Sequence, residues 1–204
     1  MEKTQLSYLE SVERMARAFS DAAAARDPEA ALRTIGVAAC EALGDRSAAS
    51  RPGALKPGET DFTISGYFVL RPGGEDMLLV AETGWPAGQH RLVIEIGEGK
   101  PGWVLANKTP LLLPNTDEDT TFTQILSSAR MGSSMYAPLL WRGSALGLIT
   151  IASQARYTYR AIDLPLVEMA AAHAASLWMA MGGTRYLAGL EAGELLARDR
   201  GQTS

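Results

Sequence analysis

Cysteine is nearly absent: Cys40 stands alone among 204 residues, which excludes an intramolecular disulfide and any multi-cysteine zinc site. The fold must therefore rest on packing, and the length suits one domain with some extra helix rather than two full domains. Histidine is scarce as well, with only His90 and His173. Long apolar runs are missing. Residues 1–19, MEKTQLSYLESVERMARAF, carry a charge every few positions, unlike a signal peptide or a membrane span. Nor does one sign of charge dominate: 19 Lys+Arg against 23 Asp+Glu leave a net charge of -4, with no basic footprint for nucleic acid. These absences predict a cytoplasmic globular protein with neither nucleic acid nor membrane as a partner.

What is present begins with two helices. Leu6, Leu9, Val12, Ala16, Phe19 and Ala23 recur in alternating steps of three and four, with Glu10, Glu13, Arg14 and Arg17 between them. Asp27-Pro28 ends that helix and starts another, with Ala31, Leu32, Ile35, Ala38, Ala39 and Leu43 on one stripe and Gly44 as its stop. Residues 45–60, DRSAASRPGALKPGET, lack any apolar period and read as a mobile surface loop.

The period then changes to that of strands. Ile64–Leu70 and Met77–Thr83 flank a Pro-Gly-Gly connection, Leu92–Ile96 makes a third strand, Pro101–Ala106 a short helix, and Leu111–Leu113 a fourth strand. The acidic turn Asp117-Glu118-Asp119 should precede and cap a short helix over Phe122–Ala129. Ser133–Trp141 and Ala145–Ser153 form a hairpin turning at Arg142-Gly143-Ser144, the last strand apolar on both parities as in a strand covered on both faces. Asp163 reads as an N-cap before Pro165 of a long helix carrying Leu166, Met169, Ala170, His173, Leu177 and Met181, with an amphipathic extension over 185–198.

Three stretches, in this order, resemble the GAF family of signalling and small-molecule-binding modules. GEGKPGWVLANKTPLLLPNTDEDTTF at 97–122 is similar to the family's Gly-rich turn, short helix, "plll" strand and acidic turn ending in phenylalanine. SSMYAPLLWRGSALGLITIAS at 133–153 is similar to its "S-x-x-x-x-P-L" strand and "G-x-l" return strand, and RYTYRAIDLPLVEMAAAHAA at 156–175 to the start of its last helix. The resemblance implies an α/β (α+β) fold with a six-stranded antiparallel sheet between a layer of N- and C-terminal helices and a layer of short helices and loops. The expected organisation is 1–44 for the N-terminal helices, 45–62 for the loop, 63–181 for the core and last helix, and 184–204 for a helical extension or tail.

The chemistry known in relatives transfers poorly. The free methionine sulfoxide reductase branch needs a nucleophilic and a resolving cysteine, and Cys40, beside Ala38, Ala39 and Leu43, reads as a small core residue. The cyclic-nucleotide signature Asn-Lys, Phe, Asp-Glu is represented by Ser153-Gln154, Tyr159 and Asp163-Leu164, which loses the Lys and Glu and leaves Tyr159 as core filler. His90 in a Gly-Gln loop and His173 among alanines read as a solvated and a packing residue rather than haem ligands, and the lone cysteine is not placed for bilin attachment. The acidic run lacks the alternating oxygen pattern of a calcium loop. No cofactor, metal or catalytic residue is expected, and the protein is expected not to be an enzyme.

What remains is a pocket, which the resemblance places around Trp103, Phe122, Arg130, Ser133, Ser134, Tyr136 and Thr150. Strand parity sends Ser133 and Ser134 to opposite faces, and Arg130 would favour an anion. The leading expectation is a small-molecule or anion sensor acting through a protein partner, since no output domain is read within these residues. The alternative is a dimerisation scaffold with a filled pocket, and a remote one is a methionine sulfoxide reductase-like enzyme. A homodimer is expected through Leu9, Val12, Ala16, Phe19, Leu166, Ala170, His173 and Leu177.

Overall fold

A computed structural model of the chain describes residues 7–97, 99–126, 129–190 and 196–197, the last pair by backbone only. Helix α1 (Tyr8–Ala23) starts on a reciprocal capping box: the Glu10 amide donates to Ser7 Oγ at 3.3 Å and the Ser7 amide to Glu10 Oε2 at 2.7 Å. Helix α2 (Pro28–Ala42) starts where Asp27 accepts from the Ala30 amide at 2.7 Å and Pro28 occupies a position whose missing N–H costs nothing. It stops before Gly44, whose φ of +82° needs glycine; a Cβ there would also meet Tyr159 at 2.9 Å.

The six expected strands are β1 (Thr63–Leu70), β2 (Asp76–Thr83), β3 (Leu92–Glu95), β4 (Leu111–Leu113), β5 (Ser133–Trp141) and β6 (Ser144–Ser153), with α3 (Gly99–Asn107) between β3 and β4. They form an antiparallel sheet in the order β4-β5-β6-β1-β2-β3, and a two-residue seventh strand, β7 (Leu196–Ala197), pairs parallel to β3. β6 is central and approaches β1 closely: a Cβ on Gly147, at φ +154°, would lie 2.0 Å from the Phe68 carbonyl oxygen.

One sheet face carries the helical layer. Helix α4 (Leu164–Ala180) packs on β5 and β6 through Ala170, Ala171, Ala174 and Ala175, and α2 packs on β1 and β2, while α1 lies over α2 and α4. This face buries Met135, Ala137, Ile149 and Ile151, together with Leu32, Ile35, Tyr67 and Tyr159. Phe68, Tyr136 and Leu148 occupy the other face with Val104 and Leu105 of α3.

Four local expectations are corrected. No described residue of 122–129 is helical; a single 3-10 turn at Thr116–Glu118, capped by Asn115, takes its place. Asp163 gives its carboxylate not to the α4 amides but to the amides of Arg160 (2.9 Å) and Gly44 (3.2 Å), so it ties the end of α2 to the start of α4. Among the described residues, the expected extension over 185–198 is helical as α5 (Gly183–Ala188), with β7 after it; residues 191–195 and 198–204 lie outside the described residues.

The fourth concerns the loop 45–60, which is bound down. Ala48 and Ala54 pack with Ala155, and the 2% exposed Arg156 grips both ends of the segment's reach. Its guanidinium donates to both Glu59 oxygens, to the carbonyls of Ala54 and Gln154, and to Asp117 Oδ2 at 2.9 Å. Asp117 also holds Lys56 Nζ at 2.8 Å and Arg130 Nε at 3.1 Å. Its neighbours Glu118 and Asp119 pair with Tyr157 and Lys100, so the acidic run is a junction on an exposed turn. The partners are remote in sequence, which is why local composition suggested mobility.

This junction sets an acid limit on stability. Partial burial pulls the Asp117 pKa upward, but the hydrogen-bonded Lys56 and Arg156 outweigh it and hold it at about 2, against 3.8 for a free carboxyl. A depressed folded pKa contributes stability that is complete above the unfolded value and lost as pH falls through the folded one. We predict that urea unfolding loses stability between about pH 4 and about pH 2. Arg156→Met should lower stability at neutral pH by on the order of 2–3 kcal/mol, less than for fully buried pairs because its carboxylate partners keep some solvent. It should also shrink the acid-labile part; an unchanged pH slope in the variant would refute the assignment.

Candidate functional site

The alternation of β5 decides what the second sheet face offers. Ser133 turns toward the helical layer, where its Oγ donates to the Leu113 carbonyl and accepts from the Tyr159 amide, whereas Ser134 and Tyr136 point the other way. Tyr136 pairs in register with Thr150 of β6, and Ser134 with Ala152. All four are buried, so three hydroxyls gather on an otherwise apolar surface. The Ser134 Oγ completes no hydrogen bond, although it lies near enough to the Tyr136 phenol to influence it. Burial pushes the Tyr136 pKa up to about 12, against the opposing effect of the Ser134 and Thr150 hydroxyls, so the phenol stays neutral at physiological pH.

Beside these hydroxyls lies a cavity of about 20 Å³, enough for roughly one water. Tyr136, Thr150 and Ala152 form its floor; Ile64, Trp85 and Met131 its sides; Phe122, Gln124, Ile125, Leu126 and Ala129 its cover. Trp85 is fixed by donating Nε1–H to the Ser65 carbonyl at 2.8 Å and by an edge contact with Phe68. No described residue lining the cavity is charged.

The expected pocket residues are thus partly brought together. Phe122, Tyr136 and Thr150 line the cavity and Ser134 lies beside the phenol. Trp103 does not join them: the buried side of α3 is set by Pro101, Val104 and Leu105 at helical spacing, which leaves Trp103 45% exposed. Arg130 is turned outward, with Nε on Asp117, a terminal nitrogen donating to the Thr116 carbonyl at 3.0 Å, and its plane 4.7 Å from the Phe122 ring. It braces the cover rather than facing the cavity. Trp85, Gln124, Ile125 and Met131 escaped the sequence reading because they lie in irregular segments without periodicity.

The expected dimer stripe divides similarly. Leu9 is 65% exposed and Ala16 is exposed, while Val12, Phe19, His173 and Leu177 are half-buried. Ala170 and Leu166 lie wholly in the chain's own core and are unavailable to a partner. Phe19 stacks on His173 with centroids 4.7 Å apart, and His173 Nε2 lies 3.2 Å from the Phe19 carbonyl oxygen. His90 Nδ1 lies 2.6 Å from Glu82 Oε1. Among the described residues no three His, Cys, Asp or Glu side chains gather as metal ligands would, and no helix is long and apolar enough to cross a membrane.

With this geometry, the comparisons with known proteins are consistent. The GAF domain family matches residues 27–177, and the chain belongs to it. A solved relative in fold is the GAF domain of a phosphoenolpyruvate-protein phosphotransferase from Coxiella burnetii, at 18% identity, TM-score 0.71, covering 91% of this chain and 100% of that one. Another is the free methionine-R-sulfoxide reductase from Neisseria meningitidis in complex with its substrate, at 17% identity, TM-score 0.68 and coverages of 90% and 95%. A third is a GAF sensor protein from Burkholderia vietnamiensis, at 13% identity, TM-score 0.61 and coverages of 88% and 99%. At these identities the likeness establishes the fold. No curated protein sequence matches the chain.

The lone thiol can be judged from its surroundings. Cys40 is 7% exposed on α2, and burial raises its pKa, with the Ser65 and Thr63 hydroxyls only partly offsetting that. We predict that a thiol reagent labels native Cys40 far more slowly than the unfolded chain, and that Cys40→Ala costs about 1 kcal/mol or so. Rapid labelling of the folded protein would contradict the buried, thiol-protonated state.

Proposed function

We propose that the protein is a non-enzymatic regulatory domain that binds a small molecule in the cavity above β5 and β6 and passes the change to a protein partner through its helical layer. The observation that carries this reading is the buried cluster of Ser134, Tyr136 and Thr150 hydroxyls on an apolar wall beside a cavity, the Ser134 Oγ completing no well-aligned hydrogen bond. One polar anchor on an apolar surface is how small-ligand sites fix orientation. The enzymatic alternative lacks a second cysteine to resolve a sulfenic intermediate.

A second reading, a scaffold whose pocket is filled, is favoured by the small free volume of about 20 Å³. The two separate in a thermal-shift screen of nucleotides, amino acids, carboxylates, alcohols and inorganic anions. A compound at about 100 times its Kd adds about 2.7 kcal/mol, which lifts the Tm of a domain this size by roughly 5–10 °C. Ala152→Leu, which fills the floor, should abolish the shift. No shift from any compound would hand the assignment to the scaffold.

We further propose a homodimer through the outer surfaces of α1 and α4. Leu9 and Met169, 65% and 50% exposed, are with Tyr8 the large apolar side chains there that the chain's own core leaves uncovered. Leu9→Glu with Met169→Glu should yield a monomer by light scattering with little change in Tm; Phe19 is unsuitable because it stacks within its own chain. A monomeric unmodified protein at micromolar concentration would rule the dimer out.

A further inference from the structure

The chemical class of the ligand can be narrowed from what the cavity withholds, an argument that rests on the proposed binding site. Arg130 was the one cation expected to recruit an anion, and it is committed elsewhere: to Asp117, to the Thr116 carbonyl and to the outer face of Phe122. It shares the Asp117 carboxylate with Lys56 and Arg156, outside the cavity lining. No carboxylate, ammonium or guanidinium among the described residues lines the cavity. A charged group placed there would lose its hydration with no counter-charge to replace it, a penalty of several kcal/mol.

The Gln124 Nε2 and the Trp85 indole N–H donate to backbone carbonyls, and the other described polar side chains on this side are hydroxyls. Ser134 Oγ is fully buried beside the neutral Tyr136 phenol without completing a well-aligned hydrogen bond, and Thr150 pairs with Tyr136 across the strands. Hydroxyls can serve a donor or an acceptor equally, and they serve a neutral one without leaving a charge unpaired. The remaining wall of Ile64, Trp85, Ile125, Leu126 and Met131 rewards apolar area.

We infer that the site takes a small uncharged molecule with a compact apolar body and a single hydroxyl or carbonyl group, the polar end held by Ser134 and Tyr136. The free volume in the present state is that of about one water, so the ligand is small and enters by displacing the half-buried side chains of the cover, Phe122 and Ile125. Its polar end then takes up the hydrogen bond that Ser134 lacks.

The test uses the full chain and a matched set of probes: 1-hexanol, 2-hexanone, hexanoate and hexylammonium. Methyl-carbon NMR follows Met131, which lines the cavity, so that binding there is separated from adsorption at the surface. The expected result is a saturable shift of the Met131 methyl with hexanol or hexanone, and affinities for the two ions at least tenfold weaker. Ser134→Ala and Tyr136→Phe should each weaken the neutral probes about five- to tenfold; their unchanged methyl spectra without ligand would show that each variant is folded. Tighter binding of hexanoate or hexylammonium, or indifference to both hydroxyl variants, would overturn the assignment while leaving the cavity as a binding site. A Met131 methyl unmoved by all four probes would overturn it too, and the regulatory reading falls with it only if the broader thermal screen also yields nothing.

Discussion

The interior charge of Arg156 is the constraint around which the cavity side of the molecule is organised. A guanidinium left 2% exposed must have its donors satisfied, and here two carboxylates and two backbone carbonyls surround it. Meeting that need brings Glu59 from the long loop and Asp117 from the turn after β4 to the end of β6. Both connections are thereby anchored to one point. The second consequence falls on Arg130: with Asp117 drawn to Arg156, Arg130 finds its counter-charge outside the cavity and leaves the cavity wall uncharged. The polarity of the candidate site follows from an ion pair that does not touch it.

The two faces of the sheet answer different demands. Toward the helices, β5 and β6 present Met135, Ala137, Ile149 and Ile151 to the alanines of α4, a fit that lets helix and sheet approach closely and leaves little room for anything else. Toward α3, the same strands present Ser134, Tyr136 and Thr150 among apolar neighbours, and the cover above them is irregular chain rather than a helix. Irregular cover packs less completely than a ridge set into a groove, which is where the free volume remains.

Much of the fold was legible because it is written in short-range patterns. The capped starts of α1 and α2, the Arg142-Gly143 turn with both residues at positive φ, and the two-sided burial of β6 each rest on residues within a few positions of one another. Parity likewise separated Ser133 from Ser134. The errors fall where the deciding partner is distant. Asp163 stands where a cap belongs, yet its carboxylate is taken by the Arg160 amide just before it and by Gly44 from across the fold. The ion pairs of the acidic run could not be read locally because Lys56, Lys100 and Arg156 are far away in sequence, and the α3 periodicity was too short to show that Trp103 lies off the buried side.

A route from the cavity to the helical surface exists in the packing itself. Tyr136 and Met135 are neighbours on one strand, the first on the cavity floor and the second beneath α4, so β5 cannot be displaced at one face without moving the other. Beyond it, α4 carries His173 on its outer side, stacked on Phe19 of α1 and facing its carbonyl. The contact between sheet and α4 is made largely by alanines, which present no long side chains to interlock. Relative sliding there breaks fewer contacts than it would between leucine-rich surfaces, the kind of small shear by which packed helices shift between states. Under the proposed function, a strand buried on both faces beneath a smooth helix is the element that would carry occupancy of the cavity to a surface remote from it.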